Sequence, residues 1–385
     1  MEVLFISHKY PPATGGMEKF SFELINGMSK HAKVHKLVYE GKEPRWKWFL
    51  LLRRRTRKIL SENPEINIIH LNDGLMISFA RWLKKDTKIP VVATLHGLDV
   101  VFPLPYYQHR IVPGFNQLNA IACVSKATMA AAAERGIDKN KLSVINNGVD
   151  HKMADPLTDA SAKENLLGKY GIDPKARIIS GLGRAVKRKG YSWFVEKVLP
   201  SLPKDVVFVM CGPISDYSKR WWHQLLPTAW VNRLALMMGH PTDEPALKSL
   251  AKQFPGRFIR TGHMAFTDIV QILKASAAFV MPNIKVEGDM EGFGLVALEA
   301  ILAGTVVFAA GHEGITDAIH HQSNGFLLPS GDVQQWVTRL NQHLEKPITE
   351  GEKAGFQRYT LQHFSWEKMA TDYYNWFQLI TQKSR

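Results

Sequence analysis

Apolar runs rich in β-branched residues alternate with stretches of helical periodicity along the first 150 residues. EVLFISH (2–8), KVHKLVYE (33–40), NIIHLN (67–72), PVVATLHG (90–97), AIACVS (120–125) and LSVINNG (142–148) read as strands. Most intervals between them are long enough for a helix, so the pattern predicts βαβ units and a parallel sheet. Near residue 150 the alternation breaks into NNGVDHKMADPLTDASAKE (146–164), polar and turn-forming, which reads as an interdomain linker. It then restarts with ARIISGLGR (176–184), DVVFVMCG (205–212), RFIRTG (257–262), AAFVMPN (277–283) and TVVFAA (305–310). From about 331 the chain reads helical, including WEKMATDYYNWFQLI (366–380). The expectation is an α/β protein of two doubly wound, Rossmann-like halves, with ligands at the carboxyl ends of the strands and the cleft between the halves as the default site.

The longest apolar run, 293–311, is long enough for a membrane span, but Glu299 near its middle and Gly304-Thr305 favour a buried helix followed by a strand. Length and composition agree: 385 residues suit two domains, and 45% hydrophobic with 22% charged residues is ordinary for a globular chain. The two cysteines, Cys123 and Cys211, each lie in an apolar strand, which implies buried thiols, a reducing compartment and no metal cluster. MEVLFISHKY has no basic stretch ahead of its apolar run, so a signal peptide is not expected.

Charge changes the picture more. The net charge is +14, and residues 1–150 hold 22 Lys/Arg against 13 Asp/Glu. Eight of those bases fall in KEPRWKWFLLLRRRTRK (42–58). Such a patch suits a solvated helix face or an anionic partner: a membrane surface, a phosphorylated substrate or nucleic acid.

Four loops carry candidate chemistry. HKYPPATGGMEKF (8–20) places Gly15-Gly16 at a helix start, where backbone N–H groups without a Cβ admit an anion or sugar. SGLGRAVKRKG (180–190) follows a strand and holds G-x-G but has Val186 where a dinucleotide fingerprint has its third glycine; Arg184 and Lys189 across this loop suit a diphosphate. His96-Gly97, with Asp99 beyond, ends a strand and can reach a ligand. EGDMEGFGLVALEA (287–300) crowds four acids into an apolar stretch. Glu291 reads as a loop residue and Glu299 as a buried acid about one turn into a helix ending at Gly304. A buried acid calls for a donor-rich partner, and sugar hydroxyls are such partners. Glu287 and Asp289 read as solvated loop charges or acceptor contacts.

Together these residues resemble retaining glycosyltransferases of the GT-B fold, family 4. The signature glutamate, seven residues, glutamate stands as Glu291-Gly292-Phe293-Gly294-Leu295-Val296-Ala297-Leu298-Glu299. PPATGGMEKF, THGLD, VINNGVD, GLGRAVKRKG and SNGFLLPSGD (323–332) resemble further family motifs in the expected order. The resemblance implies an N-terminal acceptor domain (1–155), a C-terminal donor domain (156–365) and a final helix (366–385) packing back on the first. It implies that Arg184 and Lys189 bind the donor diphosphate and stabilise its leaving charge, and that Gly16 approaches that diphosphate. Glu299 would hold the ribose, Glu291 and His96 would contact the donor sugar, and the N–H groups of Phe293, Gly294, Leu295 and Val296 would hold sugar or phosphate oxygens. Gly15 and Glu18 would belong to the acceptor side. By the same resemblance the leaving phosphate takes the acceptor proton, no protein nucleophile and no metal is required, and the nucleotide sugar, UDP- or GDP-linked, is a substrate rather than a cofactor.

The family pattern G-G-x-x-E is replaced by GHEGITDAI (311–319), which leaves a role for Glu313 insecure, and residues 213–240 form an unusually long insertion. A glycan or lipid-linked acceptor in cell-envelope or exopolysaccharide assembly follows from the basic acceptor side. So does a cytoplasmic protein peripheral on the inner membrane, held by Trp46, Trp48, Phe49 and nearby bases in RWKWFLLLRRRTRKIL (45–60). A nucleotide-sugar epimerase is the alternative on the same fold; a basic anion- or nucleic-acid-binding protein leaves Glu291 and Glu299 unexplained, so no nucleic acid is expected. An oxidoreductase is disfavoured by the missing fingerprint.

Overall fold

The structure, a computed structural model, describes residues 1–154, 167–214 and 243–383. Two compact units divide the chain. The first comprises Met1–Val149, the short segment Glu291–Leu295 and the chain from Phe364 on; the second comprises Asp150–Met290 and Val296–His363.

The first unit is built on a six-stranded parallel sheet: β1 (Glu2–Ser7), β2 (Lys33–Val38), β3 (Ile66–Leu71), β4 (Val91–Leu95), β5 (Ala120–Cys123) and β6 (Leu142–Val144), in the spatial order β2-β1-β3-β4-β5-β6. The order reverses between β1 and β3, which makes their carboxyl ends the switch point at which open sheets of this kind bind ligands. Central strands of such sheets are covered on both faces, and Val3, Leu4, Phe5 and Ile6 are all buried. Helix α1 (Gly16–Met28) follows β1, α2 (Arg45–Glu62) follows β2, and the single turn α3 (Gly74–Ile77) follows β3.

A helix from the far end of the chain, Trp366–Lys383, completes this core. Met369, Tyr373, Trp376 and Phe377 pack with Val3, Phe5, Phe20 and Leu24. Each fully buried large side chain contributes about 1.5–3 kcal/mol, so the helix is integral to the unit. It approaches α1 closely, since a Cβ on Gly27 would lie 2.6 Å from the Cβ of Ala370.

Helix α2 corrects the expectation of an interfacial face formed by Trp46, Trp48 and Phe49. Trp48 is buried and packs edge-on against Tyr39, while Phe49 stacks on Phe79. Only Trp46 and Leu50 remain as exposed apolar side chains of the helix. Helical phase explains this: Trp48, Leu52 and Thr56 recur every four residues and form the inward stripe. Several bases are also engaged. Arg53 and Arg57 both bind Asp86, holding its carboxyl well below the usual range, and Arg55 pairs with Glu43.

The second unit repeats the architecture with β7 (Arg177–Leu182), β8 (Val206–Cys211), β9 (Phe258–Gly262), β10 (Ser276–Met281), β11 (Val307–Ala310) and β12 (Phe326–Leu328) in the order β12-β11-β10-β7-β8-β9, again all parallel. Its switch point lies between β7 and β10. Strand β12 is absent from the sequence expectation because its three residues sit inside a turn-forming motif at the sheet edge. Cys123 and Cys211 are buried and unpaired by disulfide; burial pushes Cys211 up to about 12 and Cys123 higher still, so neither is a ready nucleophile. Of the insertion at 213–240, all beyond Ile214 lies outside the described residues. No helix among the described residues is long and apolar enough to cross a membrane.

Candidate active site

In the second unit, the loop after β7 is shaped by glycine. Gly183 and Gly212 adopt positive φ, and any Cβ on Gly212 would collide with the carbonyl of Gly183, so the ends of β7 and β8 meet backbone to backbone. Gly190 is left-handed, and a Cβ there would strike the carbonyl of Pro282 just beyond β10. Ile284 N–H donates to the Arg188 carbonyl at 3.0 Å, which joins the loop to the segment after β10 across the switch point. Ala185 and Val186 are buried and anchor the loop, Arg184 is exposed, and Lys189 is 7% exposed. The Lys189 stem runs beside Gly183, since a Cβ there would sit 3.5 Å from Lys189 Cε. Both cations therefore belong to one backbone cradle at the carboxyl end of β7. Tyr191 fixes its base by donating to the Leu182 carbonyl at 2.9 Å.

The acids of 287–300 sort differently from the sequence expectation. Glu287 is exposed, as expected of a loop charge. Asp289, expected to be a solvated loop charge or an acceptor contact, is 8% exposed and pairs with Arg188 at 3.4 Å. Burying both groups together satisfies the charge that either alone would strand. Glu291 is buried as well, at 9%. Glu299, expected to be buried, is only partly so. Its helix spans Leu295–Leu302, and Leu295, Val296 and Glu299 share the half-exposed stripe while Ala297, Leu298, Ala300 and Ile301 face the core. Neighbours in sequence point 100° apart on a helix, so apolar neighbours do not imply a buried side chain.

The segment Glu291–Leu295 groups with the first unit, and there it meets other expected site residues. A Cβ on Gly292 would clash with the His96 carbonyl, and one on Gly16 would lie 3.8 Å from Leu295 Cδ1. Phe293 is buried edge-on to Phe364 at 5.9 Å, and Gly294 takes φ +98 to turn the chain into the helix at Leu295. Helix-start N–H groups such as those of Leu295 and Val296 have no intrahelical partner and are met by side chains, water or a ligand.

His96 follows β4 and is fixed from two sides. Its backbone N–H donates to Asp99 Oδ1 at 2.8 Å, and its Nε2 lies 2.8 Å from the Asn72 carbonyl. A carbonyl only accepts, so Nε2 carries a proton, and the tautomer this selects has Nδ1 as its acceptor. Asp99 also accepts from Gly74 N–H at 3.1 Å; desolvation pushes its carboxyl up, and the backbone N–H donors of His96 and Gly74 oppose that. Gly15 caps α1 without a side chain. Glu18 is buried at 8%, folds over Gly15 and pairs with Lys9 at 3.3 Å.

Two groups escaped sequence reasoning. One is a buried relay in which Tyr373 contacts Thr94 at 2.8 Å, Thr94 contacts His70 at 2.9 Å, and His70 contacts Asn72 at 2.9 Å. Burial lowers His70 to about 3, so it is a neutral structural imidazole. The other is a pair between His8 and Asp73, 3.1 Å apart at the ends of β1 and β3. Both needed contacts far apart in sequence; the only local signal was a polar residue at a strand's carboxyl end.

Both sheets are doubly wound, and one carries a glycine-framed cationic loop at its switch point, where open α/β sheets take their ligands. The chain matches the family described as Glycosyl transferases group 1 over residues 162–355 and Glycosyltransferase Family 4 over residues 2–152. It belongs to this glycosyltransferase family, and its fold is the GT-B architecture. Relatives include a D-inositol 3-phosphate glycosyltransferase of Jonesia denitrificans, 26% identical over 76% of this chain and 67% of the relative. Another is an alpha-maltose-1-phosphate synthase of Mycolicibacterium smegmatis, 23% identical over 73% and 71% respectively. The chain spans about two thirds of the length of such relatives. Among solved structures, Anabaena Alr3699/HepE in complex with UDP and glucose aligns with TM-score 0.74 at 19% identity, covering 98% of this chain and 100% of that one. Sucrose-phosphate synthase from Thermosynechococcus elongatus aligns with TM-score 0.72 at 17% identity over 99% of both chains. At these identities the structural likeness speaks to fold.

Proposed function

We propose that the protein transfers a hexose, with retention at the sugar carbon, from a nucleoside-diphosphate sugar to a hydroxyl of a glycan or lipid-linked acceptor. The observation that carries this is the backbone cradle after β7 with Arg184 and Lys189 on it. In the transfer, the bond from the sugar carbon to the diphosphate breaks with its electron pair left on the phosphate oxygen. The acceptor oxygen bonds to that carbon, and its proton passes to the departing diphosphate. Arg184 and Lys189 oppose the charge that grows there, the largest contribution such a site can make, and the reading calls for no metal and no separate cofactor. Glu299, half-exposed on the helix that begins at Leu295, accepts from the ribose hydroxyls. Glu291, Nδ1 of His96 and the N–H groups from Phe293 to Val296 hold the sugar and phosphate, and Gly16 admits the diphosphate.

The donor is UDP- or GDP-linked; solved proteins of the same fold include one in complex with UDP-glucose. The basic first unit supports an anionic acceptor, a role in cell-envelope or exopolysaccharide assembly, and work at the cytoplasmic face of a membrane. A panel of UDP-glucose, UDP-N-acetylglucosamine and GDP-mannose tests the reading by thermal unfolding. A true donor at 100 times its Kd stabilises by about 2.7 kcal/mol; absence of protection by every member would remove the reading.

A further inference from the structure

His8 and Asp73 stand apart from every residue assigned above. His8 leaves the carboxyl end of β1 and Asp73 that of β3, the two strands between which the order of the first sheet reverses. This is the crevice where open α/β sheets take their ligands. Both side chains are nearly enclosed, at 7% and 1% exposure, and Nδ1 lies 3.1 Å from Oδ2. The other oxygen of Asp73 accepts from Met76 N–H at 3.1 Å, so the carboxylate is held in place as the cap of α3. A carboxylate only accepts, hence Nδ1 of His8 carries a proton, and the tautomer this selects keeps its lone pair on Nε2. Nε2 has no hydrogen-bond partner among the described residues. Beside the imidazole, at 5.8 Å between ring centres, lies Phe49, itself braced by stacking on Phe79.

We propose that this dyad is an acceptor subsite for a polyhydroxylated ring, a sugar or cyclitol, in which Nε2 of His8 accepts a hydrogen bond from a ring hydroxyl and Phe49 packs against the ring's C–H face. Asp73 is the positioning residue that fixes the tautomer. The subsite rests on the acceptor role proposed for the first unit. It binds a hydroxyl and moves no proton. An amphipathic ring fits this pair of neighbours because it offers donors at its edge and apolar hydrogens on its faces, which a simple phosphate does not.

The test uses the full chain labelled with 15N-histidine, saturated with UDP, and three probes: myo-inositol, methyl α-glucoside and D-inositol 3-phosphate. At least one probe shifts the His8 ring nitrogens, and H8F weakens that probe at least about fivefold, as expected for one lost hydrogen bond. In D73N the amide can keep the cap through its oxygen while its NH2 faces the ring. The His8 proton then moves to Nε2, read directly from the nitrogen shifts, and affinity drops by a similar factor. UDP-glucose protection against unfolding stays unchanged in both variants. Probe binding equal in H8F and the unmodified chain, a probe affinity untouched when D73N inverts the tautomer, or no probe moving His8 at all would each overturn the subsite. Loss of protection by every nucleotide sugar in the unmodified chain would instead remove the transferase reading beneath it.

Discussion

The two sheets end in opposite chemistry. At the carboxyl ends of β7 and β10 the chain presents glycines, which let backbones touch, and the cations Arg184 and Lys189 on that frame. At the carboxyl ends of β1, β3 and β4 it presents imidazoles and short acids: His8 on Asp73, and His96 held by Asp99 and the Asn72 carbonyl. The first arrangement suits phosphate, which needs N–H groups and positive charge at close range. The second suits hydroxyls, which need acceptors of fixed direction. Yet composition assigns most of the net positive charge, +9 of +14, to the first 150 residues. Seven of their 22 bases lie on α2, where Arg53, Arg55 and Arg57 are tied to acids. Net charge per domain is therefore a poor guide to which domain grips the phosphate.

The largest expected effect breaks the cationic side. Arg184→Ala and Lys189→Ala should each cost about 10²–10³-fold in donor turnover, the range for losing one donor to a developing oxyanion. UDP release from UDP-glucose measures it, and unchanged unfolding transitions show that the fold survives. Turnover within twofold of the unmodified chain in both variants would return the loop to a solvated basic turn.

A second experiment probes the imidazole side through stability. His70 has a folded value near 3 against 6.5 unfolded, so between those values the unfolded chain binds the extra proton and stability falls as pH falls. Between pH 7 and pH 5 this one group should remove about 2 kcal/mol, using 1.36 kcal/mol per unit. Urea unfolding at the two pH values gives the difference, and a His70→Asn variant, though less stable overall, should lose that part of the slope. An undiminished slope in the variant would assign the acid sensitivity elsewhere.

The smallest effect sharpens the question of α2. Trp46 and Leu50 are its exposed apolar side chains, at 68% and 72%. If the helix touches an anionic bilayer, co-sedimentation with phosphatidylserine vesicles should drop about threefold in a Trp46→Ala, Leu50→Ala double variant. Equal recovery on neutral and anionic vesicles would leave the helix as a solvated face.

Sequence pattern disclosed the periodic parts of this molecule. Strands such as Val91–Leu95 and Val206–Cys211 are continuous apolar runs buried on both faces, and their alternation with helices leaves little choice of fold. Phe326–Leu328 escaped because three residues at a sheet edge carry no period. The glycine-framed loop after β7 was legible because its residues are contiguous. The states of the acids at 287–299 were not, since burial of Asp289 depends on Arg188 a hundred residues earlier and exposure of Glu299 depends on where its helix begins. The His8–Asp73 pair spans 65 residues and two strands, a pairing only the sheet order creates.

The return of Trp366–Lys383 to the first unit has a consequence for biosynthesis. Synthesis runs from the N-terminus, so the β1–β6 sheet emerges from the ribosome without Tyr373, Trp376 and Phe377 to cover Phe5 and Phe20. The whole second unit must be translated before that cover arrives. The first unit to be made is thus the last to finish folding, and its open apolar face is a natural client for chaperones during that interval.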